Sequence, residues 1–275
     1  MDDLSFYKIL DHFNLSHKGY RKVRKGVKKS LLQHMQKQSC VTIDDYIDAL
    51  SRTPTIEKES RIHLTVSISR LFRDKRLWDH LENQILPQLL STRKGVFKIW
   101  SCGCARGEEA YSINIVWDRL YQVHPNLPEL ELWATDINPA YIEMAQNGVY
   151  GISSLKELPQ QFIERYFDKV PGKQRYVLKS FLKEGIRFNQ HDITNQPPPS
   201  SGFDVIFLRN NLLTYCRPPE KERSVEAILG VLNPGGILIT GSHEKLPVIF
   251  GHMKTGSVHP WIHEQPQSDS SSTMG

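Results

Sequence analysis

The segment Trp100-Ser101-Cys102-Gly103-Cys104-Ala105-Arg106-Gly107-Glu108-Glu109-Ala110-Tyr111-Ser112 gathers the residues with most chemical potential in this 275-residue chain. Val96, Phe97, Ile99 and Trp100 read as a strand that enters a tight loop, after which Glu108 and Glu109 open a helix. Gly103 and Gly107 let the loop turn with φ > 0 and let a ligand approach the main chain. Cofactors of nucleotide type bind where a parallel strand hands over to a helix. A pyrophosphate favours helix N–H groups with no acid beside them. Two carboxylates at this opening suit a ligand carrying hydroxyls and a positive charge, such as S-adenosylmethionine. An ordinary strand-to-helix turn would carry the same glycines, so other positions must decide.

They lie at successive strand ends. Asp136 closes Trp133-Ala134-Thr135-Asp136, where an acid can accept both hydroxyls of a ribose. His191-Asp192-Ile193 follows a third strand, where a side-chain oxygen could accept from an adenine amino group. Arg209 and Asn210 follow a fourth and would line the reacting end. One strand-terminal Asp could simply cap a helix; the series argues for a cofactor. The loop lacks the G-x-G-x-x-G spacing of a dinucleotide fold. Cys102 and Cys104 have no second Cys/His pair nearby, so no metal site is expected.

The elements that must position these groups alternate from residue 95 onward. Strands are expected at 96–101, 130–135, 186–190, 203–208 and 236–240, with helices at 107–122, 139–147 and 219–232. That order predicts an α/β fold: a doubly wound, mostly parallel, Rossmann-like sheet. Val231-Leu232-Asn233-Pro234-Gly235-Gly236 reads as a helix stop and turn. The domain spans 76–264 with an insertion at 149–185, and a Ser-rich flexible tail is expected at 265–275. Residues 1–75 read as a small all-helical domain, with helices at 4–13, 18–36 and 43–50, a polar linker at 52–59, and a further helix at 77–90 after the joining segment. Thr42 before Asp44 and Asp45 marks a helix start.

Charge is unevenly shared. Residues 1–75 carry 15 Lys+Arg against 9 Asp+Glu, whereas the rest of the chain carries 20 against 21. Arg21, Lys22, Arg24, Lys25, Lys28 and Lys29 form a dense band beside the apolar stripe Tyr20, Val23, Val27, Leu31 and Met35. The band carries no interleaved acids, unlike most merely solvated helix faces. It is either a solvated face or a binding face for an acidic partner. No apolar run approaches the ~20 residues of a membrane span. The start Met1-Asp2-Asp3-Leu4-Ser5 lacks a signal core, and the four cysteines are scattered, so a cytoplasmic protein is expected.

Several blocks together resemble the CheR family of chemotaxis-receptor protein-glutamate O-methyltransferases. They are Leu71-Phe72-Arg73-Asp74 with Trp78, Gly103-Cys104-Ala105-Arg106-Gly107-Glu108-Glu109-Ala110-Tyr111-Ser112, Ala134-Thr135-Asp136-Ile137, Gly148-Val149-Tyr150, Leu208-Arg209-Asn210, Pro234-Gly235-Gly236 and Gly241-Ser242-His243-Glu244-Lys245-Leu246. The resemblance runs in order over residues 5–262. It implies a helical domain joined to an S-adenosylmethionine-dependent methyltransferase domain, with S-adenosylhomocysteine as product. Ser67, Ser69 and Arg73 would contact the cofactor from the joining segment, with Gly103, Glu109, Asp136, Asp192, Ile193, Arg209 and Asn210 completing its site. Arg73 and Tyr215 would orient the acceptor carboxylate beside the transferred methyl. The basic band, through Arg21, Lys25 and Lys28, would draw in an acidic helical receptor or signalling protein. A monomer that neither binds nucleic acid nor inserts into a membrane is expected. Ser67, Ser69, Asn211, Cys216 and His243 depart from the usual family residues, which leaves a non-catalytic cofactor-binding adaptor as the alternative. A nucleic-acid methyltransferase would place an Asn/Asp-Pro-Pro-aromatic motif after the fourth strand; Pro197-Pro198-Pro199 instead precedes it.

Overall fold

The computed structural model describes residues 1–67 and 69–267. Five helices open the chain: α1 (Asp3–His12), α2 (His17–Tyr20), α3 (Arg24–Lys37), α4 (Ile43–Arg52) and α5 (Pro54–His63). The Asp2 carboxylate caps α1 by accepting from Ser5 N, and Thr42 and Asp45 form a reciprocal capping box on α4. The helix expected at 18–36 is two, because the chain turns at residues 21–23. Ser16 caps the short α2 by accepting from Gly19 N, and α2 docks elsewhere in the fold, which overrides the continuous helical pattern. The expected linker at 52–59 is instead mostly α5. Pro54 occupies its first turn, where a missing N–H costs nothing.

Next come α6 (Lys75–His80), a π-helical turn (Leu81–Ile85) and α7 (Leu86–Thr92). The rod continues through Pro87; the wider turn before it absorbs the ring and the lost hydrogen bond. The sheet region follows: β1 (Phe97–Cys102), α8 (Glu108–Val123), β2 (Leu130–Asp136), α9 (Pro139–Asn147), β3 (Val149–Gly151), α10 (Ile152–Leu155), α11 (Gln160–Tyr166), β4 (Phe167–Lys169), β5 (Arg175–Leu178), β6 (Ile186–Gln190), β7 (Phe203–Leu208), α12 (Leu212–Tyr215), α13 (Glu220–Leu229), β8 (Leu232–Thr240), β9 (Lys254–Thr255) and β10 (Ile262–Glu264).

The main sheet has the order β6-β2-β1-β7-β8-β10-β9. Its first five strands are parallel, and β10 and β9 add an antiparallel edge. This is a doubly wound α/β fold. All six residues of β7 are buried, as suits a central strand covered on both faces. The insertion forms its own antiparallel sheet, β3-β5-β4. Pro234-Gly235-Gly236 does not precede the last parallel strand but lies inside β8. Gly235 takes φ +70°, and the register with β7 shifts between Phe203 and Val205, which marks a bulge. Gln265, assigned to the tail, exchanges backbone hydrogen bonds with Gly235 and Gly236; residues 268–275 of that tail lie outside the described residues.

Two apolar layers cover the sheet. One gathers Phe97, Ile99, Phe207 and Ile239 with Leu77, Trp78, Trp117 and the insertion. The other joins Trp100, Phe203, Ile206 and Leu238 to Phe6, Leu10, Leu31 and Tyr46, so the N-terminal helices share a core with one sheet face. Among the described residues no helix is long and apolar enough to cross a membrane.

Candidate functional site

A cavity opens at the carboxyl ends of β6, β2, β1 and β7, where loops leave the sheet and ligands of doubly wound folds bind. Leu64, Thr65, Val66, Ser69, Arg70 and Arg73, from the segment joining α5 to α6, form one wall, and Tyr20 of α2 with Leu212 and Tyr215 of α12 close one side. Ser69, Arg73, Gly103, Glu109, Asp136, Asp192, Ile193, Arg209, Asn210 and Tyr215 all line it. Ser67 does not, and its buried hydroxyl has no hydrogen-bond partner among the described residues. Residues 64–67 and 69–73 form no helix or strand. Their facing is set by tertiary anchors: the Tyr20 hydroxyl donates to Leu64 O (3.1 Å), and Asn138 Nδ2 donates to Thr65 Oγ1 (3.1 Å).

The glycine loop works through its backbone. Gly103 N and Cys104 N both donate to Thr135 O (2.8 Å each), tying the loop to the end of β2. Ala105 N and Asn138 N donate to the two carboxylate oxygens of Asp136 (2.9 Å each). Burial pushes the Asp136 carboxyl above the ordinary aspartate value, while those two N–H groups oppose the shift. Gly103 holds φ +79°, a left-handed backbone that favours glycine, and a Cβ there would also displace the Asn211 amide. That amide donates to Cys102 O at 2.5 Å. The unusual Asn211 thus pins the loop after β7 to the end of β1.

Glu109 accepts from Ser101 Oγ (2.8 Å) and from Arg209 Nη1 (3.1 Å), and the other arm of Arg209 pairs with Asp74. The Arg209 side chain is only 4 % exposed. Replacing it with methionine leaves the largely buried Glu109 without its cation, while the exposed Asp74 stays hydrated, a loss of about 3 kcal/mol at the low end for a broken buried pair. At this chain length that corresponds to a melting drop of roughly 6–12 °C. Calorimetry of Arg209→Met checks it, and an unchanged melting temperature refutes the structural role.

Arg73 Nη2 lies 3.4 Å from Asn210 Oδ1, and the Arg73 carbonyl accepts from Trp78 Nε1 (2.8 Å). Four residues around the cavity hold left-handed backbones without being glycine: Phe72 (φ 53°), Asp74 (φ 65°), Ala105 (φ 49°) and Asn210 (φ 56°). Each costs about 1 kcal/mol or more. Their collection at one cavity marks a site held in shape by the surrounding structure. Glu244, whose role the sequence did not reveal, supplies part of that hold. It accepts from Asn210 N and Gly241 N (2.8 Å each) and from Thr214 Oγ1 (2.5 Å). Burial, with the Glu244 charge adding to it, pushes the Tyr215 phenol up to about 12.

Asp192 spends its carboxylate on its own loop, accepting from Thr194 N, Thr194 Oγ1 and Asn195 Nδ2. Its contribution to the cavity is therefore to shape the turn that presents Ile193.

The basic band is also rearranged. Arg21, Lys22, Lys25 and Lys29 are exposed, whereas Lys28 is part-buried, pairs with Asp3 and lies over the Phe6 ring (5.6 Å). Arg24 also pairs with Asp3 (3.5 Å). The acid was absent from the local sequence because it arrives from α1.

The family model for the CheR methyltransferase, SAM binding domain, matches residues 67–258. The chain belongs to the CheR methyltransferase family. The chemotaxis protein methyltransferase of Listeria monocytogenes is 29% identical over 227 residues, 82% of this chain and 84% of that protein. Chemotaxis protein methyltransferase 2 of Vibrio cholerae is 32% identical over 190 residues, 66% and 64% of the two chains. A solved TehB-like SAM-dependent methyltransferase from Corynebacterium glutamicum aligns with TM-score 0.38 and 11% identity, covering 69% of this chain and 93% of that one. The CheR-family chain is an S-adenosylmethionine-dependent methyltransferase, and its cavity has the matching chemistry. Acids Glu109 and Asp136 sit at the glycine-loop side, and Leu64, Val66, Ile137, Ile193 and Cys216 supply apolar walls.

Proposed function

We propose that this CheR-family enzyme methylates glutamate side chains of a chemotaxis receptor, giving methyl esters. The observation that carries this reading is the convergence of Arg73, Asn210 and Tyr215 on one cavity with Glu109 and Asp136. S-adenosylmethionine supplies an electrophilic methyl on a positively charged sulfur. In this reading Asp136 holds hydroxyls, Glu109 faces the positively charged end, and Ser69, Gly103, Asp192, Ile193, Arg209 and Asn210 frame the rest.

An acceptor glutamate has an ordinary pKa near 4.3 and is already a nucleophile at neutral pH, so no general base is required. The site must place it. Arg73 presents a planar fork that matches a carboxylate, and its 3.4 Å approach to Asn210 limits where that fork points. Tyr215, with its phenol pushed up to about 12, stays protonated and donates to the second carboxylate oxygen. Both groups aim the lone pair; tighter pairing would stabilise the ground state and slow transfer.

The helical layer of residues 1–75 is the receptor-facing part, with 76–264 as the methyltransferase part. Arg21 and Lys25 are the exposed cations that attract an acidic receptor helix at the cytoplasmic ends of receptors, the enzyme acting as a monomer. Lys28 is part-buried and shares its charge with Asp3, so its share in that attraction is smaller. Reversing Arg21 and Lys25 to Glu should raise the KM for a receptor cytoplasmic fragment about tenfold at low salt, and less as salt screens the charges. Cofactor affinity should not change. Tritium transfer from S-adenosylmethionine to the fragment, with base-labile release as methanol, is the assay. No transfer by the parent chain refutes the reading.

A further inference from the structure

α2 and α12 are each four residues long, too short to hold themselves in place, yet their backbones lie against one another. A Cβ on Gly19 would collide with the Thr214 carbonyl, so only glycine permits this approach. Ser16 N donates to Tyr215 O (2.8 Å), Arg217 N donates to Asn14 O (3.1 Å), and Leu15 and Cys216 form an antiparallel bridge. Arg217 adds a donor to Leu15 O (2.5 Å) and a pair with Asp11. The segment carrying Tyr215 is therefore fastened by the N-terminal helices rather than by the sheet alone.

Tyr20 stands at the centre of this junction. It is buried, its ring centroid is 4.7 Å from that of Tyr215, and it meets Phe6 edge-on at 5.9 Å. Its hydroxyl donates to Leu64 O (3.1 Å), at the start of the segment that leads to Ser69 and Arg73. One side chain thus touches Tyr215 directly and anchors the strap that carries Arg73. The next residue is Arg21, first of the exposed basic turn.

We infer that Tyr20 is a positioning residue that holds the Tyr215 ring against the acceptor carboxylate. The inference rests on the function proposed above and gives a task to Tyr20, which lines the same cavity beside Tyr215. Displacing a reacting group by about 1 Å can cost on the order of 100-fold in rate. Tyr20→Leu, which removes the ring and hydroxyl, and Gly19→Ala, which wedges α2 from α12, should therefore each lower kcat about 10- to 100-fold at saturating receptor fragment and cofactor. Tyr20→Phe keeps the ring and should recover activity to within about threefold of the parent. The dissociation constant for S-adenosylhomocysteine should stay within about threefold in all three, which also reports folding.

A second readout does not depend on turnover. With tyrosine labelled by ¹³C at Cζ, and the Tyr215 signal assigned by its loss in Tyr215→Phe, that signal should move in Tyr20→Leu and Gly19→Ala but little in Tyr20→Phe. An unmoved Tyr215 signal, an unchanged kcat in both disruptive variants, or a loss expressed only as weakened S-adenosylhomocysteine binding overturns the inference. A parent chain that leaves the receptor unmethylated refutes the proposed function instead, and the Tyr215 signal still decides whether Tyr20 positions the ring.

Discussion

Replacing Asp136 with alanine is expected to weaken S-adenosylhomocysteine binding by at least about 100-fold. An ionised carboxylate accepting hydrogen bonds contributes about 1.5–3 kcal/mol for each bond, and each factor of ten in affinity is about 1.4 kcal/mol. The effect should exceed that of any other single change in the cavity, because Asp136 has two tasks. Its oxygens receive Ala105 N and Asn138 N, which fixes the glycine loop against the end of β2, and the same carboxylate lines the cavity. Asp136→Asn keeps the size and one carbonyl acceptor but loses the charge, and it should bind weakly while melting closer to the parent. Titration calorimetry on both variants gives the answer; alanine binding within threefold of the parent would remove Asp136 from the cofactor site. Burial raises the Asp136 carboxyl above its ordinary value. Protonation on acidification therefore comes at a higher pH than for a solvated aspartate. Cofactor affinity should fall as pH drops through that raised value, and this acid limb should be missing in Asp136→Asn.

The second large effect is expected at Arg73. Arg73→Ala should lower kcat/KM for the receptor fragment about 1000-fold, with cofactor affinity reduced far less, because positioning of the acceptor carboxylate is lost. Arg73→Lys should recover little of it. An ammonium is a point charge that cannot match both carboxylate oxygens or meet Asn210 in the same plane. Left-handed Phe72 and Asp74 flank Arg73, and Trp78 holds its carbonyl, so the fork is carried on a segment with little freedom. Steady-state kinetics with saturating S-adenosylmethionine separates the cases. A lysine variant as active as the parent would show that charge alone suffices and that the planar fork has no part.

Glu244 and Asn211 carry a broader point about this site. Neither was assigned a task from the sequence, yet together they fasten the loop after β7 on two sides, to Gly241 and to Cys102. The left-handed backbone of Asn210 persists because Glu244 accepts its N–H. Chain-neighbour patterns cannot reveal such links, since their partners lie 34 and 109 positions apart.

The sequence by itself determined the parallel strands, their order of appearance, the glycine loop, and the acids and amides at the strand ends. Those features are local: period and turn chemistry write a strand, and strands alternating with helices admit few topologies. The same local signals misjudged residues 18–36 and 52–59, where docking of α2 and the N-terminal placement of Pro54 chose the outcome. Only the tertiary structure decided that Ser67 leaves the cavity wall, that Lys28 is occupied by Asp3, that Asp192 serves its own turn, and that Tyr20 meets Tyr215. Lys28 and Tyr20 depend on partners brought from other elements, whereas Asp192 is held by Thr194 and Asn195 of its own loop. Packing and hydrogen-bond satisfaction across the fold, rather than residue type, select which side chain faces a ligand.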